Sequence, residues 1–272
     1  MGVKANLTTV LCKLSKYSEK IYKVTILTRN SEKILAITYG IVCHSTFLLA
    51  GMLMAWTLYN GFQTSNGNIP YPWAIIANFL LLIQFPLGHS FLLSKRGYIV
   101  LKLLAPKLYW KNLSTTTYVT IASIQLIILF CFWTPSEVII YELNWPFNIL
   151  NLVGFVCSWV LLSISSLQAG YKVQTGSLGW TSVFKGVAPK FPPMPQTGVF
   201  SIMRQPIYLS FCLVLWTPPL MSLDLIIVAT TYSLYCYVAP KLKELRFAKH
   251  YGSEFLSYQK KVPYFLPRLR KK

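Results

Sequence analysis

The chain has 272 residues, 54% of them hydrophobic and only 12% charged, and 26 Lys and Arg stand against 7 Asp and Glu for a formal net charge of +19. Soluble domains carry about a quarter charged residues, whereas here no Asp, Glu, Lys or Arg occurs in 34–94, 112–136, 143–171 or 205–223. Windows this long and apolar exclude an ordinary soluble domain and match a chain that crosses a hydrocarbon core, which takes about 20 helical residues.

Residues 1–33 hold seven basic and two acidic residues and form a basic leader. At the helical angle Leu7, Val10, Leu11, Leu14, Tyr17 and Ile21 share one face, with Lys13, Lys16, Lys20 and Lys23 opposite, the pattern of a helix lying on a lipid surface. Six spans are then expected, over 36–62, 71–93, 116–133, 146–168, 206–216 and 223–239, as a single domain from residue 34 onward. The last two are joined by "TPPLMSLD"; Pro218 and Pro219 stop one helix and Ser222 or Asp224 caps the next. A helix of the length 206–216 rises only about 16 Å, so this pair forms a hairpin. Beyond it, Gly252 is expected to break the helix and Ser253 to cap a cytoplasmic amphipathic helix. Tyr251, Phe255, Tyr258 and Val262 share a face of it that packs toward the membrane, and Pro263 and Pro267 end it. The fold class is an all-α polytopic membrane protein.

The connections after the first, third and fifth spans contain no Lys or Arg, while those after the second and fourth, and both termini, are basic. The positive-inside rule therefore places both termini in the cytoplasm, in a bacterial inner membrane or an endomembrane. Basic residues beside spans are attracted to anionic lipid head groups by roughly 1 kcal/mol each. They come with no aromatic platform or zinc spacing, so the bilayer and not nucleic acid is the expected partner. The six cysteines are scattered with no C-x-x-C pair, which implies neither a disulfide framework nor a metal site.

Ionisable residues within spans are functional candidates by default, and here they are His44, His89 and Asp224. For His89, helix contact and catalysis both stay open, and with His44 on a neighbouring span it could ligate haem. The Gly- and Pro-rich connection 169–203 is longer than a link requires and leads to Arg204, Gln205 and Pro206. Pro206 suits a first helical position; free N–H groups there and the Arg204 guanidinium suit a carboxylate or phosphate, unless Arg204 only obeys the charge rule. Glu244 lies among Lys241, Lys243 and Arg246; pairing with Lys241 at i−3 would suffice for it to do no more than neutralise them.

These residues also carry a resemblance. Arg204-Gln205-Pro206-Ile207-Tyr208 opens the short helix, Lys243-Glu244 closes the next, and Tyr251-Gly252, Phe255, Tyr258, Val262-Pro263 and Pro267 follow. With "LWTPPLMSLD" and "GHSFLLS", this resembles the membrane methyltransferases related to isoprenylcysteine carboxyl methyltransferase and phosphatidylethanolamine N-methyltransferase, over roughly Pro86 to Pro267. It is most similar to their methanethiol S-methyltransferase and nurim-like branch. The resemblance implies S-adenosylmethionine bound at the cytoplasmic face within about 197–267, and a small or lipophilic thiol as methyl acceptor. It implies Arg204, Gln205, Pro206, Tyr208, Glu244 and Tyr258 around the cofactor, with Arg204, Glu244 and His89 as catalytic candidates. Three positions depart from the pattern: Gln205 stands for His, Ser210 for Gly and Lys243 for the first of two Glu. The alternatives are a nurim-like structural protein on the same fold and a haem-binding, isomerase-like member of the wider family.

Overall fold

The computed structural model of the protein describes the backbone of residues 2–267 and the side chains of residues 29–267. In chain order it consists of α1 (Gly2–Tyr59), α2 (Trp73–Leu92), α3 (Lys95–Leu103), α4 (Trp110–Phe132), β1 (Ile139–Glu142) and α5 (Phe147–Gln168). Then come α6 (Tyr171–Gln174), α7 (Ser177–Lys185), α8 (Pro206–Trp216), β2 (Leu220–Ser222), α9 (Leu223–Tyr251) and α10 (Ser253–Lys261). Among the described residues five helices are long and apolar enough to cross a membrane: α1 from residue 29, α2, α4, α5 and α9. The short α8 is the sixth apolar helix, with the bounds the sequence predicts. The protein is an integral membrane protein.

Its surface is apolar where a soluble protein's is polar. Ile41, Leu48, Trp56, Leu80, Leu150 and Leu234 all face outward from the helices, a belt that only acyl chains can cover. Inside, α4 packs on α1 and α2, α7 packs on both α1 and α4, and α8 is held between α5 and α9.

Three boundaries differ from expectation. Helix α1 runs unbroken from the leader into the first span, and the two faces read in residues 2–28 lie outside the described side chains. Helix α4 starts at Trp110 rather than 116, because an interfacial turn precedes the apolar window: Tyr98 meets the Trp110 ring edge-on at 4.9 Å, and Lys102 and Lys111 lie over that ring at 5.5 and 5.7 Å. Helix α9 continues past 239 to Tyr251. Pro240 lies inside the helix, where it removes one N–H and crowds the preceding turn without ending it, and no further helix breaker occurs before Gly252. This extension carries Glu244 to the basic end of the bundle.

At the opposite end, β1 and β2 form a two-stranded antiparallel ribbon, with Ile139 opposite Ser222 and Glu142 opposite Leu220. Ser222, rather than Asp224, caps α9 by accepting the Leu225 N–H at 3.0 Å. Asp224 is 2% exposed and serves another purpose. Its carboxylate accepts from Trp133 Nε1 at 3.0 Å and from both the N–H and hydroxyl of Ser136, at 2.8 and 2.7 Å. It thereby pins the end of α4 to the start of α9 beneath a core of Phe62, Phe130, Trp133 and Leu225.

Asp224→Ala leaves the buried Trp133 donor and the half-buried Ser136 donors without a partner, at roughly 1–3 kcal/mol for the buried one. The expected result is a marked drop in the thermal unfolding midpoint of the detergent-solubilised protein, whereas Asp224→Asn, which keeps an acceptor oxygen, recovers part of it.

Candidate functional site

The basic end of the bundle is assembled from four pieces: the segment 188–204, the N-terminus of α8, the C-terminal turns of α9, and α10. Pro206 occupies the first position of α8 and is fully buried. Gln205 is the N-cap residue, yet its side chain makes no capping bond, which leaves the amide free to turn toward α9.

There it meets Glu244. Arg204 Nε at 2.9 Å and Gln205 Nε2 at 2.7 Å donate to Oε1, while Arg204 Nη2 and Gln259 Nε2, both at 3.1 Å, donate to Oε2. A carboxylate offers about four acceptor positions, so Glu244 is saturated. The pairing with Lys241 is not formed: Glu244 is turned inward and 8% exposed, and Lys241 instead lies over the Tyr237 ring at 4.7 Å. A buried carboxylate needs a full set of short donors, which the surface lysine cannot supply.

Arg204 is nearly as fully used. Besides its fork onto Glu244, Nη1 donates to the carbonyls of Gln259 at 3.0 Å and Val262 at 2.6 Å, and its backbone N–H donates to Pro263 O at 2.9 Å. The guanidinium thus caps the C-terminus of α10, where a cation also meets the helix dipole favourably. It also lies against the Tyr264 ring at 5.4 Å.

Gly252 takes the sharp corner between α9 and α10 at φ 54°, a conformation that costs glycine least. It therefore occupies the N-cap position itself, and Ser253, expected as the cap, is the first helical residue. The aromatic face of α10 packs on protein and not on lipid: Phe255 and Tyr258 bury against Met194, with Phe247, Tyr251 and Val262 around them. Tyr258 donates its hydroxyl to Phe200 O at 2.6 Å. Burial pushes this phenol up to about 12, with Glu244 adding to the rise and Arg204 opposing it.

Between these pieces lies a small void of about 10 Å³, lined by Met194, Phe200, Arg204, Gln205, Lys243 and Tyr258 among others. It has room for about one water. Beside it, sharing Tyr258, an open concavity of about 380 Å³ is lined by Gln196, Ser201, Glu254, Ser257, Lys261 and Val262. Gln205 is 3% exposed, and its Oε1 is buried without a hydrogen-bond partner. Lys243 reaches the same void between the rings of Tyr208, at 5.8 Å, and Phe247, at 5.4 Å.

Of the residues singled out in the sequence, Arg204, Gln205, Glu244 and Tyr258 come together here, with Pro206 beneath them and Tyr208 beside Lys243. His89 lies outside this network, on α2, where its Nε2 is 2.6 Å from Tyr118 Oη on α4 and its Nδ1 is buried without a partner. His44 accepts from Trp180 Nε1 at 3.0 Å, so the two histidines have separate partners. Sequence reasoning missed Gln259, Met194 and Tyr264. Gln259 follows Tyr258 directly and was within reach of the motif, but nothing local marks Met194 as a plug.

The chain is 26% identical over 250 residues to methanethiol S-methyltransferase 1 of Bradyrhizobium diazoefficiens, an alignment covering 86% of this chain and 83% of that protein. It is also 26% identical to the methanethiol S-methyltransferase of Crocosphaera subtropica, across 86% of this chain and 92% of that one. With that of Pseudomonas deceptionensis the identity is 22% over 74% of this chain. This chain is a relative of the methanethiol S-methyltransferases. The likeness read from the C-terminal motifs extends along most of the sequence. No family model and no solved structure matches it.

Arg204→Ala strands a buried carboxylate, a change that costs about 3–5 kcal/mol. A large fall in the unfolding midpoint is expected, and Arg204→Lys, which lacks the planar fork, recovers only a fraction of it. The Tyr258 phenol adds a pH signature. Its folded pKa lies above the ordinary value of about 10, so the unfolded state loses this proton first and stability falls as pH rises from 10 toward 12. Tyr264, also pushed up to about 12 by burial, acts in the same direction. Thermal unfolding followed across that range is expected to fall less steeply in Tyr258→Phe.

Proposed function

We propose that the protein is an S-adenosylmethionine-dependent membrane methyltransferase acting on a small or lipophilic thiol, with the cofactor at the basic end between α8, α9 and α10. We read that end as cytoplasmic. The observation that carries the proposal is convergence: the motif residues Arg204, Gln205 and Tyr258 meet around one void, with Glu244 bonded behind Arg204 and Gln205, in a chain whose relatives are named methanethiol S-methyltransferases.

The donor set fits such a cofactor. Among the described residues, a buried amide oxygen without a partner and an ammonium that forms no salt bridge line one void, complementary to the ammonium and carboxylate of an amino-acid end. The adjoining concavity falls in the size range of ligand pockets and has polar walls for a nucleoside. When bound, the cofactor supplies an electrophilic methyl on sulfonium, which a thiolate takes in line.

The chain's own residues then have three tasks. Arg204 and Glu244 hold α10 over α8 and keep the site dry. Gln205 orients the ligand by hydrogen bonding; as an amide it moves no proton near neutral pH. We assign the thiol proton to His89, whose Nε2 is held by Tyr118 and whose Nδ1 is buried without a partner. A second reading, a structural protein on this fold, draws on the saturation of Arg204 and Glu244 by each other.

Titration calorimetry of the purified protein with S-adenosylmethionine is expected to give micromolar binding. Labelled-methyl assays are expected to show transfer to methanethiol or longer thiols and none to phosphatidylethanolamine. Absence of both heat and transfer favours the structural reading. His89→Gln is expected to keep cofactor binding and to lower thiol methylation at least tenfold.

A further inference from the structure

Resting on the methyltransferase reading, we propose that Lys243, not Arg204, is the cation that takes the carboxylate of an α-amino-acid ligand, and that Gln205 Oε1 takes its ammonium. Accounting for the hydrogen-bond donors leads to this assignment. Arg204 has given its Nε, both protons of Nη1 and one of Nη2 to Glu244 and to the end of α10. Withdrawing it from these bonds to bind a ligand would release α10 and leave Glu244 buried and short of partners. Glu244 itself has all its acceptor positions filled. Neither is free to change partners at low cost.

Lys243 and Gln205 are the groups in the void that retain unused capacity. Among the described residues the Lys243 ammonium forms no salt bridge; it lies over the Tyr208 and Phe247 rings. The faces of aromatic rings orient a cation while leaving its N–H donors available. The Gln205 amide is fixed from behind, its Nε2 bonded to Glu244 at 2.7 Å, so the bare Oε1 cannot rotate away to find a partner. A buried acceptor left unmade costs stability, and a ligand ammonium removes that cost. The pairing of one open cation with one open acceptor matches a zwitterion rather than a simple anion.

Segment 188–196 contributes Met194 and Pro195 to the void and Gln196 to the concavity. Among the described residues no backbone hydrogen bond reaches this segment; Met194, buried against Phe255 and Tyr258, and the Gln196–Glu254 hydrogen bond of 2.7 Å hold it in place. Displacing the flexible Met194 side chain joins the void to the concavity, so that a nucleoside occupies the outer space and its amino-acid end the inner one.

Two probes separate the outcomes by calorimetry: S-adenosylhomocysteine, which has the amino-acid end, and 5′-methylthioadenosine, which lacks it. The wild-type protein is expected to bind the former more tightly. Lys243→Met is expected to weaken S-adenosylhomocysteine by tenfold or more while leaving methylthioadenosine unchanged, and Lys243→Arg to restore most of the loss. Equal affinity of Lys243→Met and wild type for S-adenosylhomocysteine overturns the assignment, as does loss of both ligands, which would make Lys243 a structural residue. Failure of wild type to bind either nucleoside sinks the methyltransferase reading itself.

Discussion

The buried ion pair between Arg204 and Glu244 is the joint on which the basic end of the molecule is built. It spans α8 and α9 directly, and through Gln259, Val262 and Pro263 it also fastens α10. Bringing two charges out of water is costly unless every donor and acceptor finds a partner. Here almost every one does. That demand explains why four donors crowd one carboxylate and why α9 must extend beyond the apolar window to deliver it.

Saturation changes what these residues can be asked to do. A guanidinium and a carboxylate at a helix N-terminus invite assignment as ligand clamps, since each suits the opposite charge on a cofactor. Once they satisfy each other, their contribution is to rigidity: they hold an aromatic roof of Phe255 and Tyr258 over Gln205 and Lys243. Sites that must discriminate ligands depend on such supporting contacts as much as on the groups that touch the ligand. The same division appears at the far end, where Asp224 gives its carboxylate entirely to Trp133 and Ser136. An acidic residue within a span is there a structural staple, holding three donors from the end of α4 and the turn after it.

Much of the architecture was legible in the sequence. Charge-free windows bounded by Pro, Gly and basic residues marked all six apolar helices, and the short α8 emerged with its bounds because Pro206 and the Pro218-Pro219 pair punctuate it on both sides. The ribbon of β1 and β2 was not legible: strands this short carry too little alternation to register between two spans. The capping exchange at Gly252 and Ser253 was missed because residue preference favours Ser at an N-cap, while the corner between α9 and α10 requires a positive φ.

By itself the sequence determined which segments enter the membrane, which end of the bundle is basic, and which residues form the methyltransferase-like motif. Those properties depend on local composition, and a span of about 20 apolar residues leaves the chain few alternatives. Only the tertiary structure decided which polar groups spend themselves on one another. Glu244 has Lys241 one turn away but bonds to Arg204, forty positions distant, because burial selects for a complete set of donors over proximity in sequence. The same choice leaves Lys243 and the Oε1 of Gln205 unspent, and no pattern in the sequence could have shown that.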